Sequence, residues 1–518
     1  MENRYVLTID CGTQSVRALL FDEEGNLAAK EKKEFEPYFS PHPGWAEQDP
    51  ELLWKGTCQV CQELKNNFPE EWEQVIGVTV TTQRDTGINV DIEGNVLRPA
   101  IVWLDQRMAK CEKPMSKRYN VMFSAIGMQK SVEISRKKSK ANWIKENQPE
   151  VWENTYKYLL LSGFFNFKLT GKMADSIASQ IGHIPFDYKN QCWPGNNVNY
   201  RWQLFGIEKD KLPELIEPGE IMGYITEKAS QETGLKEGLK VIASGSDKGC
   251  ETIGTGCISL ESANLSFGTT ATVQTTSNFY FEPIKFMPAY PACIPKCYNP
   301  ELEIFRGYWM ISWFKKEFCA KELVEARQMG VSPESLLNQR LNEIPPGSQG
   351  LMLQPYWGPG LKMPEAKGSI IGFGDVHTRI HIYRAIIEGI NYGLLDGLCR
   401  IEKKSKTIVK RIMVSGGGSQ SDAICQITSD MFNRPVYKVN TYETSGLGAA
   451  IIAFIALGVH KNHEEAVRKM VHYSNVFEPD RVNAEIYSKL FHRVYKKIYY
   501  RLNNLYKNIQ DITKYPEL

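Results

Sequence analysis

Three turns built largely from glycine and hydroxyl-bearing residues each follow a short apolar strand, and they narrow the possible folds more than any other feature of the chain. Asp10-Cys11-Gly12-Thr13-Gln14-Ser15 lies between apolar runs from Val6 to Ile9 and from Val16 to Phe21. Gly268-Thr269-Thr270 lies between runs from Ala263 to Phe267 and from Ala271 to Thr276, and Ser415-Gly416-Gly417-Gly418-Ser419 follows a run from Arg411 to Val414. Backbone N–H groups reach phosphate oxygens only where side chains are small, so such turns suit phosphate. In an α/β sheet they would open on the crevice at the strand ends, where ligands bind. The first two units share one pattern of strand, hydroxyl turn and strand. Duplicated halves explain it, and so does a coincidence of two hairpins.

At 518 residues the chain exceeds one compact core, and two domains of about 250 residues each are expected. The division falls near Gly254 to Leu260, giving units 1–256 and 257–480 and a helical extension, 481–518. That extension is rich in Tyr, Lys and Arg at helical spacing and reads as a solvated helix packed by its aromatic stripe. Lys and Arg total 62 against 60 Asp and Glu, a net charge of +2, which argues against nucleic acid or an anionic membrane as the main partner. Glu2, Asn3 and Arg4 run straight into a strand without a signal-peptide pattern, and the apolar stretch from Leu447 to Val459 is too short to span a bilayer; it reads as a buried helix. A cytoplasmic location is expected. The twelve cysteines are scattered. Cys58 and Cys61 lie in a helical pattern, and Cys293 and Cys297 in an aromatic, proline-rich loop, so free thiols are expected.

The chemistry-bearing residues lie at strand ends. In the first turn Thr13, Gln14 and Ser15 supply donors and Arg17 a positive charge. Asp10 would repel phosphate unless a metal stood between them, which points to magnesium held largely through water; an ordinary hairpin with a capping Asp explains the same residues. Asp247 follows a strand from Val241 to Ser244 and is placed either to take a proton from a substrate hydroxyl attacking ATP or to cap the helix that follows. Gln83-Arg84-Asp85-Thr86 and Trp103-Leu104-Asp105-Gln106-Arg107 bring amide, guanidinium, carboxylate and indole groups together, a set suited to a ligand of many hydroxyls; for Asp105 and Arg107 a surface ion-pair network is the alternative. No P-loop and no spaced dinucleotide fingerprint occurs. The residues from Ser139 to Thr170 read as mostly helical, and Asp375 reads as the cap of a helix that carries His381.

In order along the chain, these residues resemble the FGGY carbohydrate kinases, from Val6 to Val459. Asp10 to Arg17 resembles the family's first phosphate loop, and Gly44-Trp45-Ala46-Glu47-Gln48-Asp49-Pro50 its Gly-Trp-x-Glu-x-Asp-Pro segment. Ser266-Phe267-Gly268-Thr269-Thr270 resembles the second phosphate loop, and Ser415 to Gly418 the adenosine-binding glycines. His377-Thr378-Arg379 with Ile387-Glu388-Gly389 resembles a helix of the second domain. The resemblance implies an α/β fold of two actin-like (ribonuclease H-like) domains closing on a cleft for ATP and substrate. It puts the substrate side and first phosphate loop in the first domain and the nucleotide side in the second. It implies Mg²⁺ beside Asp10 and Asp247, Asp247 as general base, and Gly268, Thr269, Gly417, Gly418, Gln420 and Ser421 around the nucleotide. Gln83, Arg84, Asp85 and Trp103 would meet a small sugar or polyol.

The departures concern that substrate. Xylulokinases carry Gln-Met-His-Gly, and glycerol kinases Gln-Arg-Glu-Thr, where this chain has Gln83-Arg84-Asp85-Thr86. The surroundings of Asp247, Phe267 and Gly417 resemble the xylulokinase branch, so a ketopentose such as xylulose is favoured over glycerol or another short polyol. Readings of a different kind are a catalytically idle sugar-binding relative and an actin-type ATPase. A homodimer stays open, and the loop from Phe279 to Tyr308 is either a substrate cover or a subunit contact.

Overall fold

The computed structural model describes residues 4–195, 198–357 and 365–515. Its frame is two six-stranded sheets. Edge to edge, the first runs Leu27–Glu34, Ser15–Asp22, Tyr5–Cys11, Val75–Thr82, Lys240–Ile242 and Ile221–Tyr224. The second runs Glu301–Ile304, Ala271–Gln274, Ser262–Phe267, Arg411–Ser415, Val436–Val439 and Tyr473–Phe477. Each begins as an antiparallel meander of three strands, continues with two strands parallel to the first of them, and ends on an antiparallel edge. Five strands keep the same chain order in both sheets, so the repetition visible in the first two turns extends through two actin-like halves.

Tyr5–Cys11 is buried at every residue because both faces of its sheet are covered, and such strands read as unbroken apolar runs. Leu7, Ile9 and Leu20 pack with Leu53, Trp54 and Val60 of the helix Pro50–Asn67. Their neighbours Val6, Leu19 and Phe21 belong to a separate core with Leu447 to Phe454 of the helix Thr444–Ala456. That apolar helix is buried, as its sequence indicates, and it lies on the sheet of the first half although it follows all but one strand of the second.

The helix crosses Asp247–Gly254 where both backbones come close. A Cβ on Gly448 would lie 1.8 Å from the Cys250 carbonyl oxygen, and one on Gly254 would lie 1.9 Å from that of Thr444. The extension forms helices Arg481–Leu490 and Lys496–Thr513, with a π-turn between them. Tyr487, Phe491, Tyr495 and Ile498 join the core of the second half.

Three readings change. Lys157–Leu160 is a strand pairing with Gly87–Val90 inside the stretch read as mostly helical, because a short buried apolar run has no period to tell strand from helix. Thr378, not Asp375, caps the helix Arg379–Ser405, in a capping box with His381. Asp105 and Arg107 do form an ion pair, but a buried one, with Glu47 joined to Arg107 and Arg98. No helix among the described residues is long and apolar enough to cross a membrane.

Candidate active site

The site is assembled where three strands of the first sheet end. Asp10 lies opposite Arg17 on the neighbouring strand, and Arg17 Nη2 is 2.8 Å from Asp10 Oδ2. This charge contact lacks hydrogen-bond geometry, leaving that buried oxygen without a donor. Burial pushes the Asp10 carboxyl up to about 6; Arg17 opposes the shift, and the charges of Asp247, Glu443 and Glu251 add to it. Arg17 also donates to Glu443 Oε2 at 2.6 Å, and Lys30 pairs with the other oxygen. The Arg17 guanidinium thus neutralises two carboxylates beside the first turn.

That turn is tied to Gln83 and Trp103 by a relay of side chains. Trp103 Nε1 donates to Thr13 Oγ1 at 3.1 Å, and Thr13 Oγ1 donates to Gln83 Oε1 at 2.6 Å. Gln83 Nε2 donates to Gln48 Oε1, whose amide donates back to the Thr13 carbonyl. Gln83, Trp103, Gln48 and the first turn therefore meet in one network.

Asp247 is the first residue of the helix Asp247–Gly254, and the cap is Ser246, whose side chain accepts from Gly249 N. The Asp247 carboxylate, its side chain 31% exposed, is not the N-cap, but its Oδ1 accepts from Lys248 N at 2.7 Å. Burial raises its pKa, while Arg84 and Lys248 hold it down. Arg84 Nε lies 3.9 Å from Asp247 Oδ1 and donates to Ser246 Oγ, and Arg84 Nη1 donates to both oxygens of Glu301 at 3.0 Å. Glu301 opens an edge strand of the second sheet, so this arginine links the two halves. Its buried Nη2 has no hydrogen-bond partner. Tyr290 lies over its guanidinium, 5.1 Å from ring centre to carbon.

The loop from Phe279 to Tyr308 reaches the first half at several points. Tyr290 packs on Tyr188, Tyr298 Oη donates to the Lys189 carbonyl, and Cys293 Sγ sits 3.7 Å from Cys250 Sγ rather than alone. Asp85 is not a free carboxylate: its Oδ2 is 3.0 Å from Lys140 Nζ and 2.9 Å from His183 Nδ1.

On the second half, Gly268 and Thr269 form an open turn whose carbonyls accept from Tyr308 N and Trp309 N. Lys248 donates to Ser266 Oγ and pairs with Glu251, tying the Asp247 helix to the strand that leads into this turn. Gly416, at φ 78°, brings the glycine turn against the Phe267 backbone, and a Cβ there would meet it at 2.9 Å. A Cβ on Gly417 would meet nothing within 4 Å. The Gln420 carbonyl accepts from Lys438, and the Ser421 side chain caps the helix Asp422–Phe432. Glu301, Glu443, Lys140, His183 and Tyr290 were not foreseen from the sequence.

Residues 5–254 match the N-terminal domain, and residues 263–457 the C-terminal domain, of the FGGY family of carbohydrate kinases. The chain belongs to this family. A xylulose kinase of Lactococcus lactis is 28% identical to it over 96% of both chains. A glycerol kinase of Thermococcus gammatolerans is 28% identical over 94% of this chain and 96% of its own. The fold matches the crystal structure of xylulose kinase from Rhodospirillum rubrum with a TM-score of 0.83 at 24% identity, over 97% of this chain and all of that one. The protein is thus a sugar phosphotransferase with the two-domain α/β fold of these kinases.

Proposed function

We propose that this FGGY kinase phosphorylates a hydroxyl of a small linear sugar, a ketopentose such as xylulose being favoured, with Asp247 as general base and Mg-ATP as donor. The observation that carries the reading is the Asp247 carboxylate: it is partly exposed, follows a helix N-cap supplied by Ser246, accepts from Lys248 N through Oδ1, and is flanked by Arg84 and Lys248. Such a group can take the proton of an attacking hydroxyl as the bond to the γ-phosphorus forms. The surroundings of Asp247, Phe267 and Gly417, which resemble the xylulokinase branch, favour a ketopentose; the 28% identity to a named xylulose kinase is equalled by that to a glycerol kinase. The Gln83-Arg84-Asp85-Thr86 corner keeps glycerol and other short polyols as the second reading.

In this reading the turns at Thr13, Gln14, Ser15, Gly268 and Thr269 bind phosphates. The open space above Gly417, with Gly418, Gln420 and Ser421 nearby, takes the rest of the nucleotide. A magnesium ion fits the donors present. Asp10 has a buried oxygen lacking a donor, Asp247 is close enough to perturb it, and no group of three or more His, Cys, Asp or Glu is arranged for metal among the described residues. Mg²⁺ characteristically takes one or two carboxylates together with water and phosphate oxygens. Bound there, it would neutralise phosphate charge. The chain's own part is to hold the substrate hydroxyl at Asp247, accept its proton, and exclude water beneath Tyr290 and its loop.

The test is coupled ADP release with Mg-ATP against glycerol, erythritol, D-xylulose, L-xylulose, D-ribulose and L-ribulose. Turnover of a ketopentose that Asp247→Ala abolishes, with nucleotide binding retained, is the expected result. Near-normal turnover in that variant would overturn the assignment of the base.

A further inference from the structure

Asp85 and His183 are joined by a geometry that gives the imidazole a defined chemical face. Asp85, at φ 49°, accepts from His183 N at 3.0 Å through Oδ1 and meets His183 Nδ1 at 2.9 Å through Oδ2. Gly182 permits this approach, since a Cβ there would lie 2.4 Å from Asp85 Oδ1. Lys140 holds the same Oδ2 from the other side, and burial of the carboxyl is outweighed by Lys140 and His183, which keep its pKa well below the usual range. An ionised carboxylate only accepts hydrogen bonds, so Nδ1 carries the hydrogen, and in the Nδ1–H tautomer the ring's lone pair lies at Nε2.

Nε2 has no hydrogen-bond partner among the described residues, and the His183 side chain is 34% exposed. The segment before it runs along the strand that leads to Asp247. Ser176 Oγ donates to the Ser244 carbonyl, and Ser246 N donates to that of Ala178. Tyr188, whose hydroxyl bonds Gly182, packs on the Tyr290 ring that covers Arg84. Arg84, with an unpartnered donor, lies 3.9 Å from Asp247, and His183 is bonded to Asp85, the next residue in the chain.

We propose that His183 is a specificity-determining residue that accepts a hydrogen bond at Nε2 from a substrate hydroxyl other than the one phosphorylated. Asp85 is its positioning residue, fixing the tautomer and the ring. The inference rests on the sugar-kinase reading above and adds to it the hydrogen-bonding sense of the second contact. A carbonyl or carboxylate oxygen, lacking a hydrogen, does not satisfy this acceptor; an O–H does.

The experiment compares wild type, His183→Ala, His183→Phe and His183→Gln on D-xylulose and its 1-, 3- and 4-deoxy analogues, or on the mono-deoxy series of whichever sugar in the panel is turned over. Wild type should discriminate against one analogue by about tenfold or more in kcat/KM, the worth of one hydrogen bond to a substrate hydroxyl. His183→Ala should raise KM for the full substrate by about as much, with kcat little changed, and should level the discrimination. His183→Phe keeps a ring against Phe205, which lies 6.4 Å away edge to face, and should behave like the alanine variant, so a folding defect in one does not decide the result. His183→Gln, whose amide oxygen accepts, should recover part of the discrimination. Full discrimination in both His183→Ala and His183→Phe would overturn the inference while leaving the kinase reading intact. Silence of wild type on every sugar would overturn both.

Discussion

The behaviour of Asp247 is set by burial, by its neighbour Lys248 and by a charge far away in the sequence. Burial lifts its pKa, and Arg84, 163 positions earlier, draws it back. A base must be ionised to accept a proton, so kcat/KM should fall as pH drops through this pKa, above the ordinary carboxylate range near 4. Arg84→Gln removes a cation that favours the ionised form, so the acidic limb should move to higher pH whatever the variant does to the height of the profile. A limb that stayed in place would assign it to another group. This network was only half legible in the sequence. Arg84, Gln83, Trp103 and Asp247 stand at strand ends in recognisable order. Glu301, Lys140, His183 and Glu443 are single ionic partners on distant segments, and no local pattern announces a partner. The one available signal was Asp85 itself, since a carboxylate buried in such a corner requires a counter-charge from somewhere.

Among the elements, period and turn chemistry were enough to recognise the helix Pro50–Asn67, the three strand-ending turns and the apolar helix near Leu447, but not what each packs against. Gly446 and Gly448 stand in the first turns of that helix, and the packing there accounts for both. A Cβ on Gly446 would lie 2.3 Å from Leu19, and Gly448 meets the backbone of the helix whose first residue is Asp247. Gly448→Ala should therefore cost stability despite its better helix propensity. Its Cβ opposes a carbonyl oxygen that cannot rotate away, and overpacking of this kind costs about 1–3 kcal/mol. Because the displaced partner carries Asp247, kcat should fall as well. Urea midpoints and steady-state kinetics on the same preparation check both. Unchanged values for the two would mean that the helices separate freely at this crossing.

At the scale of the whole molecule, two domains of this size would unfold separately by default, unless their interface is large and apolar. Here the interface is itself a core. Val6, Leu19 and Phe21 of the first half pack with Leu447 to Phe454 of the second, and Thr8 Oγ1 donates to the Gly446 carbonyl. Glu443, at the start of that helix, gathers Arg17 and Lys30 from the first half. The chain should therefore lose both halves in one transition. Tryptophan fluorescence weights the first half, since eight of the eleven tryptophans precede residue 254, whereas far-UV circular dichroism weights both. The two urea curves should coincide in wild type. Glu443→Gln should shift them together to lower urea by about 1–2 kcal/mol, less than a fully buried pair would cost because Lys30 is partly exposed and Arg17 keeps Asp10. If the curves separated in wild type, the interface core would be too weak to couple the halves. If they separated only in the variant, Glu443 would be the contact that makes the two sheets unfold as one.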